Sequence, residues 1–396
     1  MKHYPYLIIG GGMTAAAAVE GIREVDPNRL IGMISSEPDA PYNRPPLTKG
    51  LWKGKPLDRI WLKTEDRGVD LVLGCEVTSV DPKNKRVTTE DGEQYGYDKL
   101  LLATGGRPKR LPFGDGSIIY FRTLRDYRRL RELAARKQRF AVIGGGFIGS
   151  EIAAHLAMSG ARVTQVNRYE TVNGPRLPRE IGEFLNELYR RNGVDLLTEQ
   201  IVTDVERQGD EYRLRIHPED DYRERELRVD AVVAGIGLLP NVELAQAAGL
   251  YVSDGIWVDE RLRTSHPDIY AAGDVASFHN PALGRRLRVE HEDNANVMGR
   301  SAGRNMAGAS ELYHHLPYYY SDLFDVGYEA VGETDADAEQ VIDWQRPLQE
   351  GTIYYLKRNR VRGVLFWNSF GQVERGRELI AGRERLVAAD LVNLHA

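Results

Sequence analysis

Apolar residues in this chain gather into short runs that stop abruptly at glycine. "LIIGGG" (residues 7–12) and "VIGGG" (142–146) are the clearest. Each run is too short for a helix and too continuous for a surface strand, so each predicts a buried strand. Each is followed by an alanine-rich segment, "MTAAAAVE" and "FIGSEIAAHLA", that predicts a helix. A further apolar run then closes each unit, "LIGMISSE" (30–37) and "RVTQVNR" (162–168). The order strand, glycine turn, helix, strand is a βαβ unit of a doubly wound sheet. It occurs twice, with Gly10 and Gly144 at equivalent positions.

Between the two units, β-branched residues alternate with turn signals, and Asp91-Gly92 predicts a hairpin tip. "FRTLRDYRRLRELAARKQR" predicts an arginine-rich crossover helix with a solvated face. "DAVVAGIGLLPN" and "IYAAGDVASF" predict two more buried strands. From about Leu316 the texture changes to Tyr, Phe and Trp in strands, with a hairpin turning near Arg358-Asn359. A final helix is expected from about Gln372 to Ala389.

The glycines carry the chemistry. Gly10, Gly12 and Ala15 form G-x-G-x-x-A; Gly144, Gly146 and Gly149 form G-x-G-x-x-G. The first glycine makes the turn, the second lets the backbone approach a pyrophosphate, and the third small residue brings helix to strand. The helix start then offers free N–H groups and a positive dipole end. An acid should close the second strand to hold ribose hydroxyls, and Ser36-Glu37 stands there in the first unit. Two cradles imply two dinucleotides, a fixed flavin and an exchangeable nicotinamide.

Composition narrows the classes. With 396 residues the chain is long enough for two or three domains. Its net charge of −5 argues against nucleic acid as a partner. No apolar stretch is long enough to predict a membrane span. The "AAAAV" run belongs to the first cradle rather than to a signal peptide, so a cytoplasmic protein is expected. The single cysteine, Cys75, excludes an internal disulfide, a CxxC pair and a cysteine-built zinc site, and is expected to be a small buried hydrophobe. The adjacent His314 and His315 point apart on most backbones, so no metal site is expected.

Other segments carry a resemblance. "PYNRPPLTKGLW" (41–52), "KLLLATGGRP", "IYAAGDVASF", "VIGGGFIGSE", "VEHEDNA" and "GVLFWNSF" resemble segments of ferredoxin-reductase-like and apoptosis-inducing-factor-like flavoproteins. The resemblance covers nearly the whole chain. It implies an α/β fold of two Rossmann-like dinucleotide-binding domains (glutathione-reductase-like) plus a C-terminal α+β domain. The expected domains are FAD-binding at 1–120 and 245–315, NAD(P)H-binding at 121–244, and C-terminal at 316–396. By the same resemblance Arg44 binds FAD phosphates, Lys49 lies by the isoalloxazine with Glu151 as counter-charge, and Asp274 holds the ribityl chain. Glu290 and His291 approach the flavin edge and Tyr320 flanks it. Thr104 and Gly105 pass close to the cofactor. Phe147 and Glu151 lie where nicotinamide stacks, and Val77, Ala103, Ile148, Gly237 and Ala295 complete the cofactor-binding set. Lys49, Glu151 and His291 are the catalytic candidates. A lysine near the flavin suits the chemistry, because reduced flavin is anionic at neutral pH.

The implied reaction is hydride transfer from NADH to FAD N5, then electron transfer to an acceptor that the sequence does not identify; ferredoxin, quinone and oxygen are candidates. NADPH remains the alternative donor. The second unit's strand ends in Asn167-Arg168 rather than an acid, Arg168 suits a 2′-phosphate, and Glu170 stands within reach of a ribose. Two alternative readings are a ferredoxin or rubredoxin reductase of an oxygenase system, and a redox-sensing protein using a stable reduced flavin–NAD charge-transfer complex. A homodimer is a candidate assembly.

Overall fold

A computed structural model describes residues 1–392 except 137, 220, 222 and 383. The chain divides into two compact units. One comprises Met1–Pro45, Pro56–Arg107 and Leu239–Tyr319; the other comprises Pro46–Lys55, Pro108–Leu238 and Tyr320–Ala396, whose last four residues lie outside the described set.

In the first unit, β1 (Lys2–Ile9) lies between parallel strands Ile31–Ser35 and Gln94–Leu102; Val69–Leu73 and Ile269–Ala271 extend the parallel set. Ile8 pairs with Met33 on one side and Leu101 on the other, and all three are almost fully buried. That is why these strands read as continuous apolar runs. Strands Val77–Asp81 and Arg86–Thr89 add an antiparallel meander. The Asp91-Gly92 turn forms as expected. Asp91 accepts from the Thr89 hydroxyl at 2.6 Å, and Gly92 has φ +84°.

Helix α1 (Met13–Val25) packs on the helix Glu292–Met306. A side chain at Gly299 or Gly303 would collide with the carbonyl of Thr14 or Ala18, and one at Gly21 with that of Arg300. The alanine run is therefore a contact surface for a close helix pair.

In the second unit five parallel strands run in the order Val194–Leu197, Arg162–Val166, β2 (Arg139–Ile143), Ala231–Ala234, Ile119–Tyr120. Helix α2 (Phe147–Met158) follows β2. A three-stranded antiparallel meander, Gln200–Gln208 to Arg225–Val229, extends from this region. The C-terminal segment forms a five-stranded antiparallel sheet backed by Val373–Ala381. Its hairpin turns at Arg358-Asn359, both left-handed with φ 55° and 60°, as a two-residue primed turn requires.

The arginine-rich helix spans Leu124–Arg136 and buries only Leu124 and Leu130, so its charged face is solvated. Thr123 and Asp126 cap it reciprocally. The single final helix is corrected to two short ones, Val373–Ala381 and Ala388–Leu391. Gly382 follows the first, and the Leu386 amide donates to the Asn359 carbonyl at 2.8 Å rather than to a helical turn. Position 383 of that expected helix lies outside the described residues. Among the described residues, no helix is long and apolar enough to cross a membrane.

Candidate functional site

The two cradles share one hydrogen-bond pattern. Gly10 N donates to Ile34 O at 2.8 Å, and Ala103 N to Ile9 O at 2.8 Å. In the second unit Gly144 N donates to Val166 O at 2.9 Å, and Gly235 N to Ile143 O at 2.8 Å. Gly10 has φ +120° and Gly144 φ +109°. A Cβ at either would strike a carbonyl oxygen, that of Ala103 or Gly235. The next motif glycines differ. A Cβ on Gly12 would meet nothing nearer than Arg44 Nη2 at 3.9 Å, and one on Gly146 nothing within 4 Å. The space over both helix starts is open. Neither start has a side-chain cap, so the first-turn N–H groups and the dipole are available to phosphate. Ala15 is fully buried against the sheet, and a side chain at Gly149 would collide with the Gly144 carbonyl.

At the first cradle Arg44 reaches over Gly12. Its guanidinium pairs with Glu37 and donates to the Tyr42 hydroxyl at 2.9 Å; Tyr42 in turn donates to Glu37 at 2.8 Å. Burial weighs against the Arg44 charge, but Glu37, Tyr42 and Asp274 outweigh it and hold the group above its ordinary value. Asp274 is buried. Ser36 is exposed, whereas Ser35 lies directly beneath Gly11 and its hydroxyl accepts from the Glu37 amide at 3.2 Å. Thr104 and Gly105 are locked by Asn241: Thr104 Oγ1 donates to Asn241 O at 2.7 Å, and Asn241 Nδ2 to Thr104 O at 2.8 Å. Glu290 pairs with Arg288 at 2.5 Å. His291 stacks on Tyr319 with ring centroids 4.8 Å apart, and its carbonyl accepts from Ala295 N at 2.9 Å. Val77 is buried in the core. Cys75 is only partly buried, which corrects the expectation of a buried thiol, because it lies at a strand end against that core.

In the second unit Glu151, on α2, is 2% exposed and gathers three donors. Lys49 Nζ lies 2.5 Å from Oε1, Ser321 Oγ donates to Oε1 at 2.7 Å, and Thr48 Oγ1 donates to Oε2 at 2.6 Å. Lys49 Nζ also lies 5.1 Å from the centroid of the Tyr320 ring. One helical turn on, His155 stacks on Trp52 with centroids 6.0 Å apart. Burial, then the charges of Lys53 and Lys49, push His155 down to about 4. Phe147 lies under the Arg176 guanidinium, 4.9 Å from ring centroid to charge. Ile148 is exposed, and Gly237, with φ +106°, accepts from Lys109 N at 2.9 Å.

The second strand's end departs from the expected arrangement. Asn167 is 1% exposed, and its amide donates to the Thr171 carbonyl at 2.8 Å. Arg168 pairs with Glu219, and Glu170 with Arg179 at 2.6 Å, all on the surface. A cavity of about 340 Å³ opens beside the glycines instead, lined by Gly145, Gly146, Tyr169, Asn173, Pro175, Arg176 and Thr334.

The model of the pyridine nucleotide-disulphide oxidoreductase family matches residues 4–299. The chain belongs to this family. It is 32% identical to the 5,5′-dehydrodivanillate O-demethylase ferredoxin reductase subunit of Sphingobium sp. (strain NBRC 103272 / SYK-6), over 98% of this chain and 97% of that protein. It is 31% identical to apoptosis-inducing factor 1, mitochondrial, of Dictyostelium discoideum, over 98% of this chain and 80% of that protein. The solved reductase of the covalent putidaredoxin reductase–putidaredoxin complex matches with a TM-score of 0.90 and 29% identity, covering 100% of this chain and 96% of that one. The fold is the two-Rossmann-domain FAD/NAD architecture, and the protein is an FAD-dependent NAD(P)H oxidoreductase.

Both groups fit this oxidoreductase, since each cradle offers an open, uncapped helix start where its middle glycine leaves room. Ser35, Asn241, Asn173 and Arg176 also border the cradles, without being among the expected site residues. Ser35 directly precedes the expected Ser36-Glu37, whereas Asn241 meets the expected Thr104 only through the fold. Asn173 and Arg176 lie on an irregular turn with no periodicity to mark it; Asn173-Gly174, as a turn dipeptide, was the one local signal.

Proposed function

We propose that this oxidoreductase carries electrons from NADH to a ferredoxin-type protein, of the kind that serves an oxygenase. The observation that carries the reading is the thiol content. A dithiol relay needs two cysteines, and the chain has one. Cys75 stands alone, and burial, then the charge of Asp91, pushes its thiol up, which keeps thiolate scarce. Bound FAD would therefore have to pass electrons on without a dithiol relay in the chain. FAD, when bound, accepts a hydride and releases electrons singly. The Sphingobium relative is by name a ferredoxin reductase subunit, and the solved neighbour is a complex with putidaredoxin; both support this acceptor class.

In this reading Arg44 and the start of α1 hold the FAD phosphates, Glu37 the ribose and Asp274 the ribityl chain. Lys49 presents its charge to the flavin and Glu151 holds it in position. His291, Glu290 and Tyr320 face the flavin edge, and the start of α2 receives the nicotinamide dinucleotide. FAD belongs to 1–120 and 245–315, the nicotinamide to 121–244, and 316–396 is the C-terminal α+β domain. NADH is the preferred donor, because Arg168 is already engaged by Glu219.

The test is stopped-flow reduction of the purified yellow protein with NADH and with NADPH, followed by a ferredoxin, a quinone and oxygen as acceptors. Fast turnover with the ferredoxin is expected. Slow reoxidation by every acceptor, with a persistent long-wavelength charge-transfer band, would replace this reading with the redox sensor. A larger second-order rate constant for NADPH than for NADH would reverse the choice of donor.

A further inference from the structure

The cavity at the second cradle lacks a carboxylate among its described lining residues. Dinucleotide-binding βαβ units commonly place an acid at the end of the second strand to hold ribose hydroxyls. Here Asn167 is buried under Gly145 and bonded to the Thr171 carbonyl, and Arg168 and Glu170 are paired with other surface charges. None of the three lines the cavity.

The turn that follows does. Asn173 is left-handed, with φ 56°, and its backbone N–H donates to the Gly145 carbonyl at 2.8 Å, tying the turn to the glycine loop. Asn173 is among the residues at the cavity wall and is 1% exposed, and neither Oδ1 nor Nδ2 of its side chain has a partner among the described residues. Buried amides of this kind are rare unless something outside the chain satisfies them. Arg176, three residues on, lies over Phe147, the first residue of α2. Arg168 and Arg179 both have carboxylate partners, whereas Arg176 has none among the described residues. It is an exposed cation beside an uncapped helix start.

We propose that the Asn173–Arg176 turn stands in for the missing strand-end acid and reads the nicotinamide dinucleotide. Arg176 pairs with the pyrophosphate, and the Asn173 carboxamide bonds the adenosine ribose hydroxyls. Without a carboxylate at the ribose, a 2′-phosphate is not repelled, so the preference for NAD over NADP is small. This rests on the assignment of the second cradle to NAD(P)H.

Isothermal titration of the oxidised, FAD-loaded protein with NAD⁺, NADP⁺, ADP-ribose and adenosine tests it without turnover. Arg176→Ala removes a charge-assisted bond and should weaken NAD⁺ and ADP-ribose by roughly ten- to a hundredfold, leaving adenosine unchanged. Asn173→Asp keeps the side-chain size and tolerates the left-handed backbone. It should lower the affinity for NADP⁺ relative to NAD⁺ by about tenfold or more, because a carboxylate then faces the 2′-phosphate. Arg176 is exposed, so its variant folds even if the Asn173 variant does not. An Arg176→Ala protein that binds NAD⁺ as tightly as wild type would overturn the inference, as would an unchanged NADP⁺/NAD⁺ ratio in a folded Asn173→Asp protein. A wild type that binds neither dinucleotide would instead overturn the assignment of the cradle itself.

Discussion

Removing both partners of the Lys49–Glu151 pair should destabilise the protein hardly more than removing one. Glu151 is 3% exposed at its side chain and Lys49 14%. Glu151→Gln keeps the shape but leaves the ammonium without its counter-charge. Breaking a buried pair from one side costs about 3–5 kcal/mol, and the partial access of water to Lys49 sets the lower end, about 3 kcal/mol. Lys49→Met leaves the carboxylate, among the described residues, with the Thr48 and Ser321 hydroxyls and no cation, again about 3–5 kcal/mol. In the double variant no charge is stranded, and a neutral amide still bonds both hydroxyls. Most of one penalty should vanish, giving a coupling of roughly 2–3 kcal/mol. At about 2–4 °C per kcal/mol, Glu151→Gln should melt roughly 6–12 °C and Lys49→Met roughly 6–20 °C below wild type, and the double variant should lie close to the milder single. The assay is thermal unfolding by circular dichroism at one fixed FAD concentration, since bound cofactor itself raises the midpoint. If the two single losses simply add, within about 0.5 kcal/mol, the pair is not the unit inferred.

Gly10→Ala should lose FAD and stability together, because the new methyl meets the Ala103 carbonyl at a φ of +120°; the flavin absorbance ratio of the purified variant checks this. His155 is held neutral in the fold, at about 4, while the unfolded chain takes up its proton near 6.5. Its contribution is complete above about pH 6.5 and falls away as the pH drops toward 4, by about 3 kcal/mol in all. Substituting His155→Phe should flatten the melting temperature across that window, with Lys49, Lys53 and Asp322 the charges that still face the site; an unchanged pH profile would refute it. Cys75→Ser should keep NADH-driven flavin reduction within a few-fold, since a side chain outside the chemistry alters the barrier by less than roughly 1 kcal/mol. A loss of several orders of magnitude with FAD still bound would show that the thiol reacts.

Both cradles were legible because every requirement on them is local. A left-handed turn beside a carbonyl admits only glycine, a buried parallel strand must be apolar throughout, and a helix against another helix needs small residues; each leaves a mark within about a dozen residues. The Arg358-Asn359 hairpin was readable for the same reason. Partners distant along the chain left no such mark in the sequence by themselves. Lys49 and Glu151 are 102 residues apart, and Ser321 is a further 170. Their union was expected only from resemblance, and the two hydroxyls that complete it were not foreseen. At the second strand's end, Asn167, Arg168 and Glu170 held the expected positions in the sequence, yet packing buried the first and surface carboxylates or arginines engaged the others. Which side chain faces a cavity depends on the path of an irregular turn, and that path is set by bonds such as Asn173 N–H to Gly145 O, between segments that sequence periodicity does not connect.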